Sequence, residues 1–333
     1  MNRAAVLKQG KGPVVVEEIE VPRPGPGQVL VKMEACGVCH SDLFIAGLEK
    51  LPLVPLVLGH EGIGRVVETS PAAGSYKAGD RIGITFLASS CAVCEWCASE
   101  RERFCPKQVN SGYTSAGVLA QYACVAAQHL VRVPEKQPAA ELAPLCCAGW
   151  TAYAAVRETG LEPGRTLAVF GMGGLGHLAV QYAVHRKLRV AAVDVEHTKL
   201  ELAREIGASI ALPAENAGRV LQKDHGGVDA AVVLTPSVAA IGQALRALKR
   251  CGTLVLVGLS PEAFALPVVD IVLKGIILRG SFLGTRSDLA EVFSLAESGT
   301  VKPRVERHTL EETPELLAKM HRGELLGRAV IEF

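Results

Sequence analysis

The chain has 333 residues, a length that suits about two domains. Its 35 Lys and Arg nearly balance 34 Asp and Glu, leaving a net charge of +1, which argues against nucleic acid or an anionic membrane surface as the main partner. Hydrophobic residues make up 49% and charged residues 21%, a composition that excludes a disordered chain.

The first half reads as short strands. Val14–Val21, Val29–Met33, Ile63–Thr69 and Arg81–Phe86 are rich in β-branched residues and separated by turn clusters such as 22–27 and 77–80. This spacing predicts a small β-rich domain with long loops. Near Gly149 the style changes to alternating strands and helices. Strands are expected at Thr166–Phe170, Arg189–Val193, Asp229–Leu234 and Thr253–Val257. Helices are expected at His177–Arg186, Thr198–Ile206 and Val238–Lys249. Such alternation predicts βαβ units and a parallel sheet with helices on both faces. A last strand within Ile276–Leu283 is followed by helices Ser287–Ser298 and Thr313–Arg322 and a strand at Arg328–Phe333.

Three signals carry chemistry. The first is Gly171-Met172-Gly173-Gly174-Leu175-Gly176, a G-x-G-x-x-G turn with the extra Gly174, set between a strand and a helix. In such a turn Gly171 permits the bend, Gly173 admits a pyrophosphate against the backbone, and Gly176 allows close packing of helix on strand. The helix N-terminus adds free N–H groups and a positive dipole end. Asp194, at the end of the next strand, suits the ribose hydroxyls of NAD and would repel the 2′-phosphate of NADP. Lys199 is a further candidate at that ribose, with an ordinary solvated lysine as the rival reading.

The second signal is Cys91-x2-Cys94-x2-Cys97-x7-Cys105. Four thiolates in one short loop can close a tetrahedral zinc shell, a structural site. An iron–sulfur run has a different final spacing, and a disulfide knot suits an oxidising compartment. A zinc-ribbon binding module is the rival function. The near-zero charge and the lack of basic and aromatic clustering disfavour it.

The third signal is split between Cys39-His40-Ser41-Asp42, His60-Glu61 and Cys146-Cys147. Cys, His and Cys with an open fourth position make a catalytic zinc site. Asp42 and Glu61 would stand behind the ligands, Asp42 orienting His60. Residues 1–10 lack the apolar core of a signal peptide, and no run is long enough to span a bilayer, so a cytoplasmic setting is expected.

These segments together resemble the zinc-dependent medium-chain alcohol dehydrogenases, the bacterial and yeast type, over essentially the whole chain. The resemblance implies an α/β fold: a GroES-like β-rich catalytic domain plus a Rossmann doubly wound parallel-sheet domain. The expected division is 1–148 for the first catalytic segment, 149–283 for the NAD-binding domain and 284–333 for the return to the catalytic domain. It implies NAD as cofactor and two Zn2+ per chain. Cys39, His60 and Cys147 would bind the catalytic zinc, with Cys147 preferred to Cys146 because it precedes Ala148-Gly149. Ser41 would take the alcohol proton. His40 and Arg286 would lie at the pyrophosphate, and Thr151, Leu175 and Val257 around the nicotinamide.

The implied reaction converts an alcohol to its aldehyde or ketone, in a homotetramer or homodimer joined through the Rossmann sheet edge. Polyol or other secondary-alcohol dehydrogenases are the alternative within the family. A zinc-free quinone reductase is disfavoured by the full ligand set. The chain also departs from its relatives. Phe44 stands where many have a proton-relaying histidine, Ile45–Val57 looks short and lacks a tryptophan, and Trp150 is larger than usual.

Overall fold

A computed structural model describes residues 1–333. The chain forms two units. One contains residues 1–148, 285–297 and 303–333; the other contains residues 149–284 and 298–302. The short piece 298–302 therefore belongs with the second unit, inside the stretch expected to return wholly to the first. The side chain of Gln181 fixes it by accepting from the Lys302 amide at 2.8 Å and donating to the Lys302 carbonyl at 3.0 Å.

The first unit is built on β-strands that pair antiparallel except where Val305–His308 pairs Arg328–Glu332 in parallel. Its main sheet runs Val131–Arg132, Arg81–Ile84, Glu61–Thr69, Gln28–Gly37, Arg328–Glu332, Val305–His308. Strand Gln28–Gly37 pairs Glu61–Thr69 along one edge and divides its other edge between two partners. Its first half pairs Tyr122–Ala126, and its last residues pair Val330 to Glu332. Alternation along these strands drives Val29, Val31 and Met33 into one core with Leu56, Leu58, Ile82, Ile84, Leu119 and Ile331. A smaller sheet joins Val14–Ile19, Asn2–Leu7 and Leu56–Val57.

The second unit is a six-stranded sheet, parallel at every pairing. Its order is Ile210–Pro213, Arg189–Asp194, Thr166–Phe170, Val228–Val233, Leu248–Leu256, Ile277–Gly280. Numbered within the sheet, that is 3-2-1-4-5-6, the doubly wound order of a dinucleotide-binding fold. The Thr166–Phe170 strand is buried at all five positions, as a central parallel strand covered on both faces should be. Helices such as Gly176–His185 and Val238–Ala247 supply those covers.

Helix Val268–Lys274 is a difference from the sequence reading, which assigns nothing there. Its sequence, VVDIVLK, has a strand-like content of β-branched residues. The ends decide otherwise: Pro267 sits at the N-cap, and Gly275 closes the helix at φ 63°. None of its residues is buried.

Candidate active site and cofactor turn

Strand Gln28–Gly37 delivers Cys39 to the N-cap of helix His40–Ala46. The Asp42 carboxylate closes that corner. One oxygen accepts from the Cys39 amide at 2.9 Å; the other accepts from the Gly59 amide at 3.1 Å. Gly59 has φ 95°, and a Cβ there would meet Leu119 and Cys36, so only glycine can bring the chain into His60 at this point. The same Asp42 oxygen lies 3.2 Å from His60 Nδ1, so Asp42 orients the imidazole as expected of a residue behind a metal ligand. Cys147 sits where the 3-10 turn Ala143–Cys146 passes into helix Ala148–Glu158.

Ligand atoms of Cys39, His60, Glu61 and Cys147 lie within 4.8 Å of one another, and all four residues are buried. His60 Nε2 is buried with no hydrogen-bond partner. A buried orphan nitrogen is costly unless something fills its lone pair. Two sulfurs, an imidazole and a carboxylate converging there are the donor set zinc takes. The residues therefore fit the metal. Cys146 points elsewhere, its thiol facing the Gly62 carbonyl at 3.6 Å.

Glu61 stands further forward than the sequence suggests. Its carboxylate belongs to the same 4.8 Å group. Both of its oxygens also accept from Arg328 Nη2, at 2.6 and 2.5 Å. Gly37 makes this possible, because a side chain there would strike the Glu61 carboxylate. Arg328, 3% exposed, is absent from the sequence reading. The signal available was a lone arginine heading the otherwise apolar run Ala329 to Ile331. Phe86 also goes unnoticed in sequence; its ring meets the His60 imidazole edge-on at 5.1 Å.

The electrostatics single out one sulfur. A hydrogen bond from the Cys147 thiol, with help from His60 and against the effect of burial, holds Cys39 well below the ordinary thiol range. Cys147 is pushed well up by the same shared hydrogen bond and by burial. Burial opposes the charged form of His60, yet Asp42 and then Cys39 hold its pKa well above the usual value. Ser41 Oγ lies 3.8 Å from Cys39 Sγ, at the edge of the cluster. Next along the helix, Phe44 is 53% exposed.

The four remaining expected metal ligands form a second cluster. Cys91, Cys94, Cys97 and Cys105 place their sulfurs within 4.8 Å of one another. The loop leaves strand Leu87–Ser89 and returns through Val109–Asn110, and the two pair at its base. Ala92 and Glu100 adopt φ near +60° to turn it tightly. Backbone amides of Val93 and Cys94 lower Cys91 to about 6, and the Cys91 and Lys107 amides reach Cys105 Sγ at 3.5 and 3.4 Å. Thiolates surrounded by amide donors are ready ligands for a soft cation.

In the second unit three glycines of the turn have distinct environments. Gly171 has φ 93°, and its amide donates to Val193 O at 2.9 Å. Open space surrounds the position of a Cβ on Gly173. A Cβ on Gly176 would strike the Gly171 carbonyl. Gly174 follows in the turn, and Leu175 is the N-cap of helix Gly176–His185. Asp194 has an unforeseen task, for one oxygen accepts from the Met172 amide at 2.5 Å and the other from the Glu196 amide at 3.0 Å. It braces the glycine turn as well as ending the strand.

The other expected cofactor residues divide between the units. Thr151, buried in helix Ala148–Glu158, Val257 at the end of strand Leu248–Leu256, and the half-buried Lys199 lie in the second. His40, exposed at the start of its helix, and Arg286 lie in the first. Arg286 has protein partners: Nε donates to Glu102 Oε1 at 3.1 Å, and Nη1 donates to the Gln128 carbonyl at 3.2 Å.

Comparison with known proteins accords with this geometry. Residues 25–135 match the alcohol dehydrogenase GroES-like domain family, and residues 174–298 match the zinc-binding dehydrogenase family. An alcohol dehydrogenase of Geobacillus stearothermophilus is 42% identical over 99% of both chains. The crystal structure of the alcohol dehydrogenase from Aeropyrum pernix superposes with a TM-score of 0.93 at 30% identity, covering 99% of this chain and 100% of that one. Acetophenone reductase from Geotrichum candidum, solved in complex with NAD, gives 0.89 at 30% identity, with 100% and 97% covered. The chain belongs to the zinc-dependent medium-chain alcohol dehydrogenase family. No helix is long and apolar enough to cross a membrane.

Proposed function

We infer that the protein interconverts an alcohol and its aldehyde or ketone by hydride transfer with NAD, using two zinc ions per chain. The observation that carries the reading is the buried convergence of Cys39, His60, Glu61 and Cys147 around an orphan His60 Nε2. Cys39, His60 and Cys147 are proposed to hold the catalytic zinc, and the four loop cysteines the structural one. When bound, zinc supplies a Lewis acid that lowers the pKa of the alcohol, and NAD supplies the hydride acceptor.

The chain's own residues supply the rest. Asp42 fixes the His60 ring. Arg328 keeps Glu61 from approaching the ligand cluster without a counter-charge. Ser41 Oγ takes the alcohol proton, and release to solvent bypasses Phe44, whose ring carries no exchangeable proton. In the second unit, Gly173 leaves the backbone open to a pyrophosphate, with Gly174 and Leu175 leading into the helix N-terminus. Asp194 selects NAD over NADP, and Lys199 is a further contact to the same ribose.

A homodimer or homotetramer and a cytoplasmic location are part of the same reading. Strand Ile277–Gly280 pairs on one side only. Beside it Val268, Val269, Val272 and Leu273 are 66–70% exposed, an apolar face of the kind that a second copy covers. Ten free cysteines suit a reducing compartment.

The test combines a screen of alcohols with NAD and NADP, metal analysis, and molar mass by light scattering. NAD reduction, two zincs per chain and an oligomer are expected. Cys147→Ser should lose activity and one zinc while keeping the fold. Full activity in that variant would overturn the site assignment.

A further inference from the structure

Residues 91–105 have no apolar core of their own: only Arg103 and Cys105 are buried. The loop must therefore be held by its metal and by ties to the rest of the unit. Two such ties meet at one side chain. Glu102, three residues before Cys105 and with its side chain 15% exposed, accepts from Arg286 Nε at 3.1 Å. At the other end of the loop, the Ser90 amide donates to Gln128 Oε1 at 2.9 Å, and Ser90 Oγ lies 3.1 Å from His129 Nε2. Arg286 Nη1 donates to the carbonyl of that same Gln128 at 3.2 Å. Arg286 thus joins the entry and exit of the loop from helix Arg286–Glu297, 184 residues downstream of Glu102.

We propose that Arg286 is a clamp on the four-cysteine loop, a positioning residue for that metal site rather than a ligand of the cofactor pyrophosphate. Arginine suits the task because its planar fork can serve a carboxylate and a carbonyl at once. The clamp keeps the sulfurs of Cys91 and Cys105 gathered at opposite ends of the loop. The inference rests on the reading that these four thiols hold zinc.

Zinc release to a chromogenic chelator from the zinc-loaded enzyme, together with NADH binding by fluorescence, tests it. The Cys147→Ser variant identifies the phase that belongs to the four-cysteine site. Arg286→Gln and Glu102→Gln should each speed that phase about two- to fivefold, as expected for a partly exposed ion pair. The double variant should be no faster than Arg286→Gln alone, and Arg286→Lys, which keeps the charge but not the planar fork, should release at a rate between parent and Arg286→Gln. NADH affinity should stay at the parent value in Arg286→Gln. Parent release rates in both single variants would overturn the clamp, as would weakened NADH binding with unchanged zinc release. If Arg286→Gln does not fold, Glu102→Gln and Arg286→Lys still decide the matter. A parent protein with one zinc per chain that is lost altogether in Cys147→Ser would instead refute the four-cysteine metal site itself.

Discussion

The glycine turn offers a contrast between two substitutions of the same size. At Gly173 a Cβ meets nothing within 4 Å. At Gly176 it runs into the Gly171 carbonyl, with the Gly171 carbonyl carbon at 2.9 Å and Met172 Sδ at 3.4 Å. The obstacle is backbone, held by the Gly171 amide on Val193 and by Asp194 on Met172, so it cannot give way cheaply. Gly176→Ala should therefore cost ~1–3 kcal/mol, the usual range for overpacking. Gly173 has no left-handed φ, so Gly173→Ala should keep or raise stability by ~0.4–1 kcal/mol.

Cofactor binding should reverse the order of harm. A methyl on Gly173 occupies the space through which a phosphate reaches the backbone amides. Losing one charge-assisted hydrogen bond of ~1.5–3 kcal/mol weakens NADH binding by about 10- to 150-fold. Thermal melting and NADH fluorescence titration, run on both variants, read the two effects separately. Parent NADH affinity in Gly173→Ala would refute the pyrophosphate role of that position. An unchanged melting curve in Gly176→Ala would refute the packing role of the other.

Two further outcomes concern buried polar groups. Arg328→Met leaves Glu61 without its counter-charge at a fully buried site and should cost ~3–5 kcal/mol in urea denaturation of the zinc-free protein. Adding Glu61→Gln should recover most of that loss, and a double variant worse than the single one would contradict the account. Tyr182 is 1% exposed, and its hydroxyl has no hydrogen-bond partner. Tyr182→Phe keeps the edge-on contact with Tyr153 at 5.3 Å and should raise stability by ~1 kcal/mol, whereas a lower urea midpoint would show that the hydroxyl is satisfied.

The legible parts of the structure are those whose causes are local. Strand Thr166–Phe170 is bounded as the sequence predicts, and helix Gly176–His185 starts and ends one residue earlier than predicted. The cysteine loop is legible for the same reason, since its ligands lie within fifteen residues of one another. The split cluster is legible in its residue types, Cys, His and Cys, but the preference for Cys147 over Cys146 comes through family resemblance, because spacing alone cannot bring either to Cys39. Arg328 escapes because its partner is 267 residues away. Helix Val268–Lys274 escapes because its composition speaks for a strand and only its end residues speak for a helix. Strand Asn2–Leu7 is also missed; its six residues pair locally with Val14–Ile19, but Val6 and Leu7 also pair with the distant Leu56–Val57.

Strand Arg328–Glu332 lies inside the main sheet of the first unit, between Gln28–Gly37 and Val305–His308. This position has a consequence in time. During translation, a growing chain has made all of the second unit before the strand that completes the first leaves the ribosome. The metal-site half must wait with an open seam, and with Glu61 lacking its arginine, while its later neighbour is already able to fold. Its exposed strand edges during that interval are where a chaperone, or a second nascent chain, would find this protein first.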